Sequence, residues 1–252
     1  MNKKVKMKVR KVKEIAKDTI EMTLENDYVA KQAKAGQFLH ILVDGHTLRR
    51  PISITEIKEE TNTVTIIFKV IGQGTKDLAN YQVGQEVDVL GPGGSGFPTE
   101  ALAKKTVLLI GGGVGVPPLY FLGKELAKDP SIEIITILGF QSKEYVFYED
   151  KFKAFGETIL MTDDGSAGEK GFVTDAIAKT QSFDRFYTCG PSSMLRAVSE
   201  QLSNKEGYIS LEEYMGCGIG ACFACIIQTT DGKSYKKICQ DGPVFPANEV
   251  SL

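Results

Sequence analysis

Four cysteines close together near one end of this chain constrain its fold more than any other feature. Cys217, Cys222 and Cys225 are spaced C-x4-C-x2-C, and Cys239 follows after thirteen intervening residues. This is the order in which plant-type proteins present thiolates to a 2Fe–2S cluster. A short loop can supply three of the four ligands only if its backbone bends tightly, and Gly216, Gly218 and Gly220 provide that freedom. Structural zinc usually wants two short cysteine knuckles, whereas only one C-x2-C is present. Disulfides suit small secreted domains, and the 252-residue chain has an odd count of five cysteines. Iron–sulfur is the reading the spacing favours, and a one-electron carrier calls for a second redox group elsewhere.

The length suits two compact domains with a small appendage. A net charge of -2 argues against nucleic acid or an anionic membrane as the main partner. The basic opening run alternates with Val5, Met7, Val9 and Val12, as a strand with a solvated lysine face would. It lacks the apolar core of a secretory signal, and no stretch reaches the roughly 20 apolar residues of a membrane span. A cytoplasmic location is therefore expected.

Three parts are expected. Residues 1–98 hold six short β-rich runs (KMKVRKVKEI, TIEMTLEN, QFLHILV, RPISITEI, TVTIIFKV, EVDVLGP), which predict an antiparallel β-barrel. Residues 99–207 alternate apolar runs with helical periodicity, which predicts an α/β domain with a parallel sheet. Residues 208–252 form the small C-terminal iron–sulfur segment.

Candidate sites lie at the strand ends. In Arg49-Arg50-Pro51-Ile52-Ser53 an arginine can fork onto a dinucleotide's phosphates, and a small hydroxyl can reach the hydride-accepting flavin nitrogen. The alternative is an edge strand with two solvated arginines. After Ile67-Phe68-Lys69, the loop Gly72-Gln73-Gly74-Thr75 offers a phosphate cradle, or else a plain helix cap at Thr75. Gly111-Gly112-Gly113-Val114-Gly115-Val116-Pro117-Pro118 sits between a strand and a helix. Its glycines are expected to let a pyrophosphate approach, with a tight ligand-free turn as the alternative. Cys189 ends another strand, where it faces either a ligand crevice or the core. His40 and His46 have no companions at metal spacing and read as structural or surface residues.

R-P-I-S, then G-x-G-x-G-x-x-P, then Cys189-Gly190-Pro191-x-x-Met194, in that order, resembles the ferredoxin–NADP reductase superfamily. With the four cysteines and the following Asp241-Gly242-Pro243-Val244-Phe245, the chain is similar to electron-transfer subunits of NAD-dependent (type B) dihydroorotate dehydrogenases along essentially its whole length. The resemblance implies FAD on Arg50, Pro51, Ile52, Ser53, Ile67, Phe68, Lys69, Gly74 and Thr75, and NAD at Gly111, Gly113 and Gly115. It implies catalytic places for Ser53 and Cys189, and a 2Fe–2S cluster on Cys217, Cys222, Cys225 and Cys239. It also implies a partner, the FMN-containing catalytic subunit, in a heterotetramer of two copies each. Electrons from dihydroorotate would then pass through cluster and FAD to NAD, a step of pyrimidine biosynthesis. Subunits of ferredoxin:NADP oxidoreductases, sulfhydrogenases and oxygenase reductases share the architecture and form the alternative. A flavin-binding sensor is a further alternative. Lys143 alone does not distinguish NAD from NADP. The apolar residues Met215, Ile219, Ala221, Phe223 and Ala224 of the cysteine loop are expected to meet a partner, or else to pack on the barrel.

Overall fold

The computed structural model describes residues 2–252. Six strands close into an antiparallel barrel in the order β1-β2-β5-β4-β3-β6. They are β1 (Lys3–Ala16), β2 (Thr19–Glu25), β3 (Phe38–Leu42), β4 (Arg50–Lys58), β5 (Thr63–Lys69) and β6 (Glu86–Gly93). Each corresponds to one of the six β-rich runs. Alternation sets the faces: on β1, Met7 and Val9 are buried while Lys6, Lys8 and Arg10 face water. A short helix, α1 (Asp27–Gln32), interrupts the strands. The Asn26 side chain caps it by accepting the Val29 N–H at 3.0 Å. Asn26 is the local signal for this helix, which strand periodicity does not reveal.

Helix α2 (Gln73–Ala79) leads from β5 toward β6. The chain then enters β7 (Thr106–Gly112), α3 (Val116–Leu126), β8 (Glu133–Phe140), α4 (Glu149–Lys153), β9 (Glu157–Thr162), β10 (Glu169–Lys170), α5 (Val173–Ile177), β11 (Arg185–Cys189), α6 (Ser192–Gln201) and β12 (Glu206–Ser210). The 7-stranded sheet has the order β10-β9-β8-β7-β11-β12-β15. All its pairings are parallel except the last, where β12 meets β15 (Val244–Pro246) antiparallel. The continuous apolar run of β7 follows from coverage on both faces of a parallel sheet, and Val107 to Ile110 are fully buried.

The cysteine segment contains only a small hairpin, β13 (Ile226–Gln228) and β14 (Tyr235–Lys237), before β15. It makes no independent core. Met215, Cys225, Ile238, Cys239 and Phe245 share one apolar cluster with Phe38 of β3 and Leu195 of α6. β12 runs through residue 207, and β15 returns the segment's end to the α/β sheet. Helix α3 packs against β4, Tyr187 stands edge-on to Phe97 at 5.6 Å, and the Tyr148 hydroxyl donates to Glu21 at 2.6 Å. Barrel and sheet thereby share one continuous core. No helix among the described residues is long and apolar enough to cross a membrane.

Candidate functional site

The flavin-binding candidates gather where β4 meets α2. The Arg50 guanidinium lies directly on Gly74, so close that a Cβ there would meet Arg50 Nε at 2.3 Å. Arg50 also donates to the Leu48 carbonyl and to His46 Nδ1, the latter at 3.1 Å. His46 Nε2 in turn lies 2.8 Å from Asp77 Oδ2. This contact with His46 is the main reason the Asp77 carboxyl sits below its ordinary pKa. Arg50 is thus oriented by a histidine that has no detectable signature in the sequence. Arg49 is not solvated either: it donates to the His40 and Asp88 carbonyls at 3.1 and 3.2 Å and pairs with the Asp88 carboxylate, tying β3, β4 and β6 together.

Thr75 behaves mainly as a cap. Its hydroxyl accepts the Ile71 and Gly72 N–H groups at 3.1 and 3.2 Å and donates to the Gly72 carbonyl at 3.0 Å. A Cβ on neighbouring Gly72 would meet nothing within 4 Å, so the loop stays open to a ligand. The side chains of Ile67 and Phe68 are buried, and Lys69 stacks over the Tyr145 ring at 4.4 Å. Ser53 pairs with Phe38 across β3 and β4, next to the pair Pro51–His40. Arginine, open glycine loop and an accessible serine together suit a flavin dinucleotide.

At the second site the glycines divide into two kinds. A Cβ on Gly115 would stand 2.2 Å from the Cys189 carbonyl oxygen, and one on Gly111 would meet Val116 at 3.0 Å. Those two are small because the chain packs on itself. Gly113 has φ +54° with nothing within 4 Å of its Cβ position, so it alone of the three leaves open space for a phosphate. The turn lies against Gly190 and Met194, so the glycine-rich turn and the C-G-P strand end pack directly on each other. Cys189 is fully buried, and burial followed by the charge of Glu212 pushes its thiol pKa well up. It is a neutral thiol in the core beneath the glycine-rich turn. Glu212, two residues past β12, carries no signal in the sequence because its proximity to Cys189 depends on the β11–β12 pairing.

Cys217, Cys222, Cys225 and Cys239 are free thiols. The side chains of Cys217 and Cys222 interact, as do those of Cys225 and Cys239. The N–H groups of Ile219 and Cys222 point at the Cys217 sulfur (3.5 and 3.4 Å), that of Gly220 at Cys239 (3.2 Å) and that of Cys239 at Cys225 (3.5 Å). Burial pushes the Cys217 thiol up, but these amides outweigh it and bring it down to about 6. Cys239, more enclosed and next to Cys225, is pushed up to about 12. Among the described residues no three such side chains converge on one ion. Two thiol pairs lined with N–H donors fit two irons rather than one zinc. Of the apolar loop residues, Met215 is buried against the barrel, whereas Ile219 and Phe223 are 54% and 71% exposed and Ala221 and Ala224 also face water.

An antiparallel flavin barrel, a nicotinamide-type α/β domain and a four-thiol loop define a flavin- and nicotinamide-dependent iron–sulfur oxidoreductase. Residues 6–97 match the oxidoreductase FAD-binding domain, 109–200 the oxidoreductase NAD-binding domain, and 212–251 the iron-sulfur cluster binding domain of dihydroorotate dehydrogenase B. The electron transfer subunit of dihydroorotate dehydrogenase B (NAD(+)) from Bacillus cereus is 51% identical over 260 residues and 100% of both chains. That from Fusobacterium nucleatum is 50% identical over 248 residues and 95% of each. The chain belongs to this family of electron transfer subunits. A chain of the NADH-dependent reduced ferredoxin-NADP oxidoreductase superimposes with a TM-score of 0.88 at 31% identity, over 97% of this chain and 89% of that one. An Amycolatopsis cytochrome P450 reductase shares the fold, with a TM-score of 0.69 at 22% identity, over 81% and 67%.

Proposed function

We propose that this chain carries electrons from an FMN-containing dihydroorotate dehydrogenase subunit to NAD, as part of pyrimidine synthesis in the cytoplasm. The observation that carries this reading is the packing of the paired-thiol loop on the outer face of β3, beside the strand that holds Ser53. A bound FAD supplies the conversion between one-electron and two-electron transfer, and the protein supplies placement. Arg50 and the open Gly72–Thr75 loop would hold the dinucleotide phosphates, and Ser53 would offer its hydroxyl to the flavin ring. Gly113 admits the NAD pyrophosphate. Cys189, kept as a thiol by burial, would help exclude water from a nicotinamide bound at that strand end. The division into 1–98, 99–207 and 208–252 follows these three tasks, although β12 and β15 bind the last two together.

The cluster is the entry point, so the partner docks over the loop. Tyr214, Ile219 and Phe223 are exposed there, and an apolar patch left in water is costly. A complex of two copies of each subunit is the assembly this reading favours. Co-expression with an FMN-containing dihydroorotate dehydrogenase subunit tests it. The complex should reduce NAD with dihydroorotate, while this chain alone should oxidise NADH only with artificial acceptors. Dihydroorotate turnover by the chain alone would overturn the reading.

A further inference from the structure

His40 is fully buried, and although the Met215 backbone comes near enough to act on its ring, neither ring nitrogen closes a full hydrogen bond among the described residues. A buried polar group left without one costs about 1–3 kcal/mol, so a site that keeps an imidazole there has a use for it. Its position on the strand is informative. On β3, Leu39 and Ile41 fill the barrel, while Phe38 and His40 project from the outer face. Cross-strand register puts Phe38 opposite Ser53 and His40 opposite Pro51, so His40 and Ser53 are diagonal neighbours on one face.

On its other side His40 meets the cysteine loop. Gly218, with φ +69°, lies so close that a Cβ there would be 2.2 Å from His40 Nδ1. Asn2 holds the same residue by donating to its carbonyl at 3.2 Å. Gly218 directly follows Cys217. The imidazole therefore stands between the strand read above as the flavin site and the loop read above as the cluster site. Burial drives its pKa down to about 4, so near neutral pH the ring carries one N–H.

We propose that His40 is a positioning residue of the electron relay, whose N–H serves the cluster-bearing loop and tunes the exchange of electrons between cluster and flavin. Hydrogen bonds near cluster sulfurs set cluster potentials, and outer donors of this kind commonly matter by 10- to 100-fold. In the working direction one electron leaves the reduced cluster and enters the flavin, an NADH pulse drives the same step in reverse, and no bond to His40 forms or breaks in either direction. The inference rests on the cluster and flavin placements proposed above.

The test compares His40→Leu, which removes the N–H, with His40→Gln, which retains one, and with Gly218→Ala, which displaces the ring. Each chain is assayed for bound FAD, iron and acid-labile sulfide. The cluster potential is then measured by EPR-monitored titration, and the rate of cluster reduction is measured against flavin reduction in one NADH pulse. His40→Leu should make the cluster harder to reduce and lower that rate ratio about tenfold. Gly218→Ala should follow His40→Leu, and His40→Gln should recover most of the loss. Unchanged potential and ratio in His40→Leu would overturn the inference. If His40→Leu loads no cluster, an unaltered potential in Gly218→Ala would overturn it equally. An unmodified chain that binds no cluster or no FAD would defeat the site assignments first, and this inference with them.

Discussion

Two glycine-rich loops stand at the two ends of the proposed relay, and they need glycine for different reasons. In Gly111–Gly115 the constraint is mainly packing: Gly115 is pressed against the Cys189 backbone, and only Gly113 faces open space. In Gly216–Gly220 the constraint is mainly backbone conformation: Gly218 and Gly220 have φ +69° and +78° and turn the amide groups toward sulfur. The first loop is shaped by a rigid sheet and would hold without ligand. The second has little regular structure of its own, and its shape depends on the thiols, on Asn2 and on His40.

The largest effect should come from breaking the second loop. Cys222→Ser should abolish the cluster EPR signal and leave FAD bound, with acid-labile sulfide falling to background. A normal cluster in that variant would remove Cys222 from the ligand set. Next come the crevice residues. Ser53→Ala and Cys189→Ala should each slow flavin reduction by NADH roughly 10- to 1000-fold, as lost transition-state contacts do. Stopped-flow absorbance reads this, and wild-type rates in both would cancel their assignment.

The glycine comparison itself sharpens with a matched pair. Gly115→Ala forces a Cβ into the Cys189 carbonyl and should cost about 1–3 kcal/mol by denaturant unfolding. Gly113→Ala meets no atom within 4 Å but must keep φ +54°, so it should cost about 1 kcal/mol. Its main effect should be a raised KM for NADH. Equal stability losses would erase the distinction drawn between the two positions.

The pH dependence of stability separates His40 from a surface histidine. Its pKa in the folded chain lies near 4, below the ordinary 6.5, because burial disfavours the charged ring. The neutral ring is therefore favoured in the fold, and stability present above pH 6.5 is lost as pH falls toward 4. The loss is on the order of 3 kcal/mol at most. His40→Leu should show a shallower decline over that window, and parallel curves would refute the assignment. The smallest effect on this chain alone belongs to the exposed loop. Phe223→Ser should change its stability by less than about 0.5 kcal/mol. The same change should weaken assembly with the partner about tenfold or more in a binding titration.

Much of the frame was legible in the sequence because it is written in local periods and spacings. The six barrel strands, the alternation of β7 to β11 with helices, and the four thiols all follow from patterns a few residues long. Helix α1 was hidden because six residues carry little periodicity, and β15 because three residues carry less. The sites were legible as motifs but not as geometry. Arg50 resting on Gly74, with His46 and Asp77 behind it, joins segments more than twenty residues apart. Thr75 proved to be occupied with its own helix, and Met215 turned inward while its neighbours stayed exposed.

By itself the sequence determined the kinds of chemistry available: thiolates for iron, a serine and an arginine on a β-strand, and glycines before a helix. Which of these groups face one another was decided only by the tertiary structure. Strand register put Ser53 and His40 on one outer face, and β12 brought Glu212 to Cys189. Closure of the cysteine segment between β3 and β15 brought Gly218 onto the imidazole. Such contacts join residues far apart in the chain, His40 and Gly218 by 178 positions and Asn2 and Gly218 by 216. They form because burying shared apolar surface outweighs the slowly growing entropy of closing long loops, and no short pattern of residues encodes that balance.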